Sequence, residues 1–508
     1  MELKRKITRR DFLKLSSLAF SSLLVRPIIE PLGEFSEGMP NIIILVFDAW
    51  SAGHMQMYGY PRLTMPNLEK FAQRATVFHN HYSAGTFTIP GTASLLTGLY
   101  PWSHRAINLG YSGVIKEHAA HQAFALLDGT HSTYGYSQNR YADVFLNQSE
   151  RYLNTHIRSG EFSLERRYFY NWPLFKNDAN MILESFADNI FQFGYGEDAS
   201  LFFGSAFRLW KLRERVINAY RYDDLYPLGL PDSTEQFLLS DLADGLISVL
   251  DKLEKPSFVY LHVYPPHDPY RPAKKFYGEF SKGWQPKKKP IHPLAEEKAP
   301  FGKLVKQGQY YDEFLLSWDD ELERVLEYLG NSGLLENSYI VITSDHGELF
   351  ERGEIGHDTP LIFENVIHVP LIVSRPGQVE REDVNVYTSS IDIVPTLAAW
   401  AGKPVPEWAE GQLLPGFGGE EDPERSIFAM DAKQNSSFAP LTQATISLTK
   451  MKQRLTYYNY PGNQHFEFYD LSEDPDELVD LYPSMPLVAK RIQDELMQRL
   501  SEANRKYE

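Results

Sequence analysis

The chain of 508 residues contains no cysteine. This absence excludes disulfide bonds, and it excludes a thiolate as a catalytic nucleophile or a metal ligand. A nucleophile or metal site in this protein must therefore use groups other than a thiolate.

Positive charge is also scarce. The formal net charge is −17 at pH 7, from 50 Lys and Arg against 67 Asp and Glu residues. The basic cluster Lys287-Lys288-Lys289 stands between two prolines and is typical of a solvated loop. Because an acidic surface repels the phosphate backbone of nucleic acids, we expect no nucleic-acid partner.

The apolar run near the N-terminus is short. From Leu15 to Val25 it has about 11 residues, fewer than a membrane-spanning helix needs. It follows Thr8–Lys14, a segment with two adjacent arginines that resembles a twin-arginine export signal. We therefore expect residues 1–38 to direct export to the periplasm or the cell exterior. Because no small-residue cleavage pattern precedes Pro27, retention as a membrane tether is the alternative.

Three segments share one plan, an apolar run rich in β-branched residues that is followed by Asp or His. They are "NIIILVFDAW" with Asp48, "SFVYLHVYPPHDPY" with His267, and "SYIVITSDHGE" with Asp345 and His346. Such runs are typical of strands buried on both faces of a parallel sheet. Helical patterns between them predict an α/β sandwich around a mostly parallel central sheet. Since ligands bind beyond the carboxyl ends of such strands, we expect these side chains to converge at one edge.

Changes in composition and in hydrophobic pattern along the sequence predict how the chain is divided into domains. We predict a catalytic domain over residues 39–410, in which residues 132–230 form an aromatic-rich insertion beside the active-site edge. Over residues 411–508, short strand patterns followed by a helical pattern predict a small C-terminal α+β subdomain packed on the main domain.

The segment "GTFTIPGTASLLTGLYP" resembles the nucleophile segment of the sulfatases, in which Cys or Ser opens a C/S-x-P-S-R…T-G pattern. Aligned on Pro90 and on Thr97-Gly98, Thr88 occupies the nucleophile position, with Thr86 as the alternative. Thr92 takes the position of the arginine. Further segments that resemble the family are "GHDTPLIFENVIHVPLIV", "SIDIVPTLAAWAG" and "FEFYDLSEDPDELVDL". Together these features resemble the sulfatase branch of the alkaline phosphatase superfamily.

The resemblance implies an alkaline-phosphatase-like α/β sandwich and a divalent metal, one per chain. The implied metal ligands are Asp48, Thr88, Asp345 and His346. Their mixed oxygen and nitrogen atoms favour Zn²⁺ or Mn²⁺, with Mg²⁺ and Ca²⁺ as alternatives.

The resemblance also implies roles around the metal. His267 and His357 are expected to contact substrate and to assist proton transfer, and Asn139 is expected to contact the transferred group. His262, inside a predicted buried strand, is interpreted as a core histidine. Glu364 and Asp392 are interpreted as structural residues.

The positions at which this sequence differs from the sulfatases bear on which ester the protein is expected to cleave. Sulfatases oxidise Cys or Ser to formylglycine, but Thr is not a substrate for that maturation, so we expect no formylglycine here. Where the family has a Gly-Lys-x-His segment, this chain has "GYSQN", which lacks the Lys and the His. A Thr hydroxyl activated by a divalent metal suits phosphoryl chemistry.

We therefore expect a metal-dependent hydrolase of phosphate mono- or diesters that acts on a small-molecule, glycan or lipid ester through Thr88. Three alternatives stay open: transfer of a phospho-group to an envelope glycan or lipid, hydrolysis of sulfuric esters, and binding of an anion or glycan without turnover.

Two-metal relatives carry a second cluster, typically an Asp and two His. Neither His267-Asp268 nor His357-Asp358 has the Asp-x-x-x-His spacing that puts both ligands on one helical face. We predict a single metal, with His267 and His357 supplying positive charge as imidazolium. Activity should then fall as pH rises through their pKa values, which lie near 6.5 when unperturbed.

Overall fold

The computed structural model describes residues 38–109, 113–164 and 202–508, with side chains in the last range from residue 209 onward. The predicted twin-arginine segment and the apolar run after it lie outside the described residues. Among those that are described, no helix has the length and apolar character needed to cross a membrane.

An eight-stranded sheet forms the centre of the main domain, with the spatial order β10-β2-β9-β6-β1-β5-β3-β4. In chain order the first ten strands are β1 (Asn41–Phe47), β2 (Thr76–Tyr82), β3 (Ser132–Ser137), β4 (Thr155–Ile157), β5 (Ser257–Val263), β6 (Ser338–Thr343), β7 (Leu349–Glu351), β8 (Glu354–Gly356), β9 (Leu371–Ser374) and β10 (Glu382–Ser389). Strands β7 and β8 pair separately as a two-stranded ribbon. Only β9 runs antiparallel to its neighbours β2 and β6. The predicted, mostly parallel sheet is confirmed.

Helices pack on both faces of this sheet, and the last helix of the chain packs instead on the C-terminal sheet. They are α1 (Pro66–Ala72), α2 (Thr88–Thr97), α3 (Pro101–His104), α4 (Ala123–Leu127), α5 (Arg140–Gln148), α6 (Phe202–Arg221), α7 (Leu239–Leu250), α8 (Phe301–Asn331), α9 (Glu364–Ile367), α10 (Ile393–Trp400) and α11 (Pro486–Asn504). In β1 every residue is buried, and successive side chains enter opposite cores, because side chains alternate along a strand. Ile43 and Leu45 pack with α1, α7 and α8. Ile42 and Ile44 pack with α2, α4 and α10.

The C-terminal part is a separate antiparallel sheet with one helix. Its strands are β11 (Ile427–Asp431), β12 (Ala444–Lys450), β13 (Gln453–Tyr460) and β14 (Asn463–Asp470), in that order. Helix α11 buries Ala489, Ile492 and Leu496 in the core of this sheet. The predicted small C-terminal α+β part is confirmed.

The segment predicted as an insertion, residues 132–230, begins inside the central sheet. Strand β3 has the sequence "STYGYS" and pairs in parallel with β5 and β4. Its small and polar residues do not form an apolar run, although all six are buried. Residues 165–201 lie outside the described residues. Helix α6 lies in the last part of this segment.

Buried ion pairs join the two sheets. Arg454 on β13 is fully buried and donates to Glu477 Oε1 at 2.8 Å and to Glu364 Oε2 at 2.5 Å. Arg425 donates to Asp392 Oδ2 at 2.6 Å. These contacts fit the structural role that the sequence suggested for Glu364 and Asp392.

Candidate active site

Four neighbouring parallel strands, β6, β1, β5 and β3, end at one edge of the sheet. Asp345 follows β6, Asp48 follows β1, His267 follows β5 and Asn139 follows β3. A carboxylate, imidazole or amide therefore stands just beyond each strand. The structure places the predicted residues at this common edge, where ligands of α/β sheets bind.

Asp48, Asp345 and His346 form the centre of the cluster. All three are buried, and one ligand atom from each lies within 4.8 Å of the others. His346 Nε2 lies 3.4 Å from Asp48 Oδ1 and 3.7 Å from Asp345 Oδ2. The loop after β6 holds Asp345, because its Oδ1 accepts a hydrogen bond from the amide of His346 at 3.0 Å.

These residues fit a divalent cation. Asp48 Oδ1 is buried and has no hydrogen-bond partner among the described residues. Two carboxylates removed from water are costly to keep charged unless a cation compensates them. Two carboxylate oxygens and one imidazole nitrogen are donors suited to Zn²⁺, Mn²⁺ or Mg²⁺.

The pKa values of the two carboxylates, Asp48 and Asp345, are shifted in opposite directions. Burial alone would raise the pKa of Asp48, but His267, His262 and His346 outweigh it, so the pKa of Asp48 lies well below its ordinary value. Burial and the charge of Asp48 raise the pKa of Asp345. Burial lowers the pKa of His346, but the two carboxylates outweigh burial and raise it. Asp48 is thus the carboxylate that stays ionised most readily.

Thr88 is the first residue of α2 and lies against this cluster. Its Oγ1 is 3.4 Å from His346 Nε2. Helix α2 packs closely on the loop after β6, because a Cβ at Gly91 would lie 2.2 Å from the carbonyl oxygen of Asp345. The glycine therefore permits the approach that brings Thr88 to the cluster. Thr86, the alternative nucleophile, is buried, and its hydroxyl has no hydrogen-bond partner in the described ranges.

Thr92, at the arginine position of the family pattern, lies one turn further along α2. Its Oγ1 donates to Asp345 Oδ2 at 3.4 Å. A hydroxyl thus contacts the carboxylate of Asp345 at the position where the family carries a guanidinium.

His267 and His357 stand together on the open side of the cluster. Their ring centroids are 4.8 Å apart, and the His357 ring is 4.2 Å from that of His346. His357 Nδ1 contacts Glu348 Oε1 at 2.9 Å, and Glu348 is fully buried. Both predicted histidines are therefore brought to the site. The Nδ1 contact of His357 with a carboxylate leaves its Nε2 available for the reacting groups.

The charge of His267 is held by nearby carboxylates. Burial lowers its pKa, but Asp48 and Asp268 outweigh burial and raise the pKa of His267 to about 10. Burial would raise the pKa of Asp268, yet the contact with His267 lowers it to about 2. A raised pKa favours the charged form of His267, and its role as an imidazolium stays a prediction.

The interpretation of His262 as a core histidine is wrong. It is fully buried in β5, but its Nε2 lies 3.2 Å from Asp48 Oδ2 and 3.7 Å from Asp345 Oδ2. Its Nδ1 contacts the hydroxyl of Tyr260 at 3.0 Å. The strand register could have indicated this, because His262 pairs with Val46, two residues before Asp48.

Asn139 lies between Thr88 and Asp48. Its Nδ2 donates to Asp48 Oδ2 at 2.6 Å and to Thr88 Oγ1 at 3.2 Å. It is also the N-cap of α5, and its Oδ1 accepts from the amide of Tyr141 at 2.9 Å. The contact of this side chain with the transferred group, implied by the family resemblance, stays a prediction.

A cavity of about 510 Å³ opens beside His357 and Asp268. Its other walls include Tyr270, Arg271 and Tyr310. The cavity adjoins His357, one of the two histidines predicted to assist proton transfer.

Comparisons with known proteins agree with this geometry. The family model described as "Sulfatase" matches residues 40–403. A second model, "N-sulphoglucosamine sulphohydrolase, C-terminal", matches residues 353–506. Together they span the central sheet and the C-terminal sheet.

Individual relatives include both phosphorus and sulfur chemistry in their names. The multifunctional alkaline phosphatase superfamily protein PehA of Trinickia caryophylli is 25% identical over 92% of this chain and 96% of its own length. The choline-sulfatase of Rhizobium meliloti is 25% identical over 87% of this chain and 82% of its own length.

Among solved structures, the phosphonate monoester hydrolase of Agrobacterium radiobacter has a TM-score of 0.65 and 18% identity, covering 92% of this chain and 96% of that one. At this identity the likeness establishes the fold. With the family model matching residues 40–403, the chain belongs to the sulfatase family of ester-bond hydrolases in the alkaline phosphatase superfamily.

Proposed function

We propose that this protein is a metal-dependent hydrolase of phosphate mono- or diesters, with Thr88 as the nucleophile. The observation that carries the proposal is the position of Thr88 Oγ1, at the N-terminus of α2 and 3.4 Å from His346 Nε2, in a chain without cysteine. A plain hydroxyl at this position supports attack on phosphorus rather than formylglycine chemistry. The names of PehA and of the phosphonate monoester hydrolase are consistent with a phosphorus ester.

The divalent metal would be held by Asp48, Asp345, His346 and Thr88 Oγ1. When bound, it supplies positive charge that favours the alkoxide of Thr88 and the negative charge of the substrate. The N-terminal amides of α2 add to this field, because helix N-termini attract anions.

In the first step, Thr88 Oγ1 forms a bond to phosphorus while the bond from phosphorus to the leaving oxygen breaks. The proton of the Thr88 hydroxyl passes to solvent or to a neighbouring base, and the leaving alkoxide takes a proton from His357 or His267. Water then attacks the phospho-threonine and gives a proton to the histidine that lost one in the first step, the bond from phosphorus to Oγ1 breaks, and Thr88 regains a proton from solvent or from the base that took it. Ester and water are thereby converted to alcohol and phosphate.

The test compares aryl phosphate monoesters, phosphate diesters and aryl sulfates with metal-loaded wild type, Thr88→Ala and Thr88→Ser. We expect phosphate esters to be preferred. Loss of the nucleophile should lower turnover by at least about 100-fold, while Ser, which keeps a hydroxyl, should retain a measurable part. A preference for sulfate, or full activity of Thr88→Ala, would sink the proposal, and absence of any turnover would favour a binding protein.

Transfer to an acceptor is the second candidate, supported by the cavity of about 510 Å³ beside His357. Hydrolysis and transfer differ only in whether water or an alcohol attacks the phospho-threonine. Adding glycerol or a glycan to the assay distinguishes them. A phosphorylated acceptor would identify a transferase, whereas release of inorganic phosphate alone would identify a hydrolase.

A further inference from the structure

We infer that Asn139 is a positioning residue for the metal ligand Asp48 and the nucleophile Thr88, and that it does not contact substrate. This inference rests on the proposed function for the role of Thr88. The geometry around Asp48 stands independently of it.

The hydrogen-bonding capacity of the Asn139 amide is already used. A side-chain amide has two N–H donors and one oxygen acceptor. The donors reach Asp48 Oδ2 at 2.6 Å and Thr88 Oγ1 at 3.2 Å, and the side chain is buried. A substrate oxygen could bind this amide only by displacing one of these two partners.

The orientation of the amide is fixed by the backbone. Asn139 Oδ1 accepts a hydrogen bond from the amide of Tyr141, and a backbone N–H can only donate. The oxygen must therefore face α5, and the nitrogen must face Asp48 and Thr88. The N-cap thus locks the side chain in the rotamer that contacts the site.

The two carboxylate oxygens of Asp48 therefore have different surroundings. Oδ2 accepts from Asn139 and lies 3.2 Å from His262 Nε2, whereas Oδ1 is buried without a hydrogen-bond partner. The protein therefore holds one oxygen and leaves the other, next to His346, to a cation. Hydrogen bonds of this kind orient ligands and raise metal affinity.

The hydrogen bond that Asn139 donates to Thr88 favours the alkoxide form of Thr88, which is the form that attacks phosphorus. A hydrogen bond to a developing alkoxide is stronger than one to the neutral hydroxyl, because the acceptor becomes charged. It also directs the remaining lone pairs of Oγ1 away from α5. Asn139 therefore joins metal binding and nucleophile orientation through one side chain.

The substitution Asn139→Ser isolates this role, because Ser is also a good N-cap but lacks the amide. Zn²⁺ affinity of metal-depleted protein is measured by titration calorimetry, and kcat and KM are measured with an aryl phosphate. We expect Zn²⁺ affinity to fall by about 10-fold or more. We also expect kcat to fall while KM changes little. The matched control is Asn147→Ser on the same helix, which should change none of the three quantities.

A raised KM with unchanged Zn²⁺ affinity would show that Asn139 contacts substrate and would overturn the inference, as would wild-type values for all three quantities. If Asn139→Ser does not fold, Asn139→Gly, which is also tolerated at an N-cap, has no side-chain donor, so it should lower kcat in the same way. Because Zn²⁺ affinity is independent of turnover, its result stands even if Thr88→Ala shows that the proposed nucleophile is wrong.

Discussion

At the scale of single residues, the candidate site depends on histidines held by carboxylates. His346 and His262 lie next to Asp48 and Asp345, whereas His357 contacts Glu348 through its Nδ1. Glu348 is fully buried, and its Oε2 has no hydrogen-bond partner in the described part of the chain. A buried carboxylate with one partner is costly, so its contact with His357 points to a role in orienting that ring.

We predict that Glu348→Gln lowers kcat by about 10-fold or more, since general acid catalysis contributes about 100- to 10,000-fold and requires an oriented ring. The loss should be larger for phenyl phosphate than for p-nitrophenyl phosphate, whose leaving group needs less protonation. Steady-state kinetics with both esters checks this. An equal loss for the two esters would indicate a structural role for Glu348.

His267 makes stability depend on pH. Its pKa rises from 6.5 to about 10 on folding, because Asp48 and Asp268 outweigh the effect of burial. A raised histidine pKa stabilises the folded state fully below pH 6.5, and this contribution is lost as pH rises through about 10. Urea unfolding of metal-depleted wild type and His267→Gln should therefore show the largest difference near the acidic end of this window. A difference that stays constant with pH would contradict the assignment.

At the scale of elements, the apolar runs predicted β1, β5 and β6, and with them the edge where the site lies. Two features escaped prediction for physical reasons. Strand β3 has small and polar residues, and it is a strand because it pairs with β5 and β4. His262 lies within an apolar run, and only the register between β1 and β5 places it beside Asp48.

The family pattern supplied what composition could not. It located Thr88 and His357, whose surroundings in the sequence have no periodicity that indicates a site. The structure places both at the cluster. No sequence pattern predicts that Asn139 is the N-cap of α5, because this role depends on the residue at which β3 ends.

The contact between the two sheets depends on Arg454. It is fully buried on β13 and pairs with Glu477 and Glu364. We predict that Arg454→Met destabilises the protein by about 3–5 kcal/mol, because the buried carboxylate of Glu477 and the partly buried carboxylate of Glu364 lose their cation. Urea unfolding checks this, with Arg499→Met, an exposed position on α11, as the matched control. A loss similar to that of the control would contradict the prediction.

At the scale of the whole molecule, the metal content tests the single-metal prediction. Asp48, Asp345 and His346 are the group that could hold an ion among the described residues. We expect one equivalent per chain by elemental analysis, lost in Asp48→Ala. We also expect thermal stabilisation of about 2.7 kcal/mol when free metal is 100 times its Kd. Two equivalents, with one lost in His267→Ala, would show that a second site exists.

The central claim is that Thr88 becomes covalently phosphorylated during turnover. The most direct measurement is mass spectrometry of the peptide that contains Thr88, after metal-loaded protein is mixed with an aryl phosphate and quenched in acid. The account predicts a phosphoryl group on Thr88, absent without substrate and absent in Thr88→Ala. Turnover of the phosphate ester with no phosphorylated Thr88 peptide at any quench time, or with the phosphoryl group on Thr86, would contradict it.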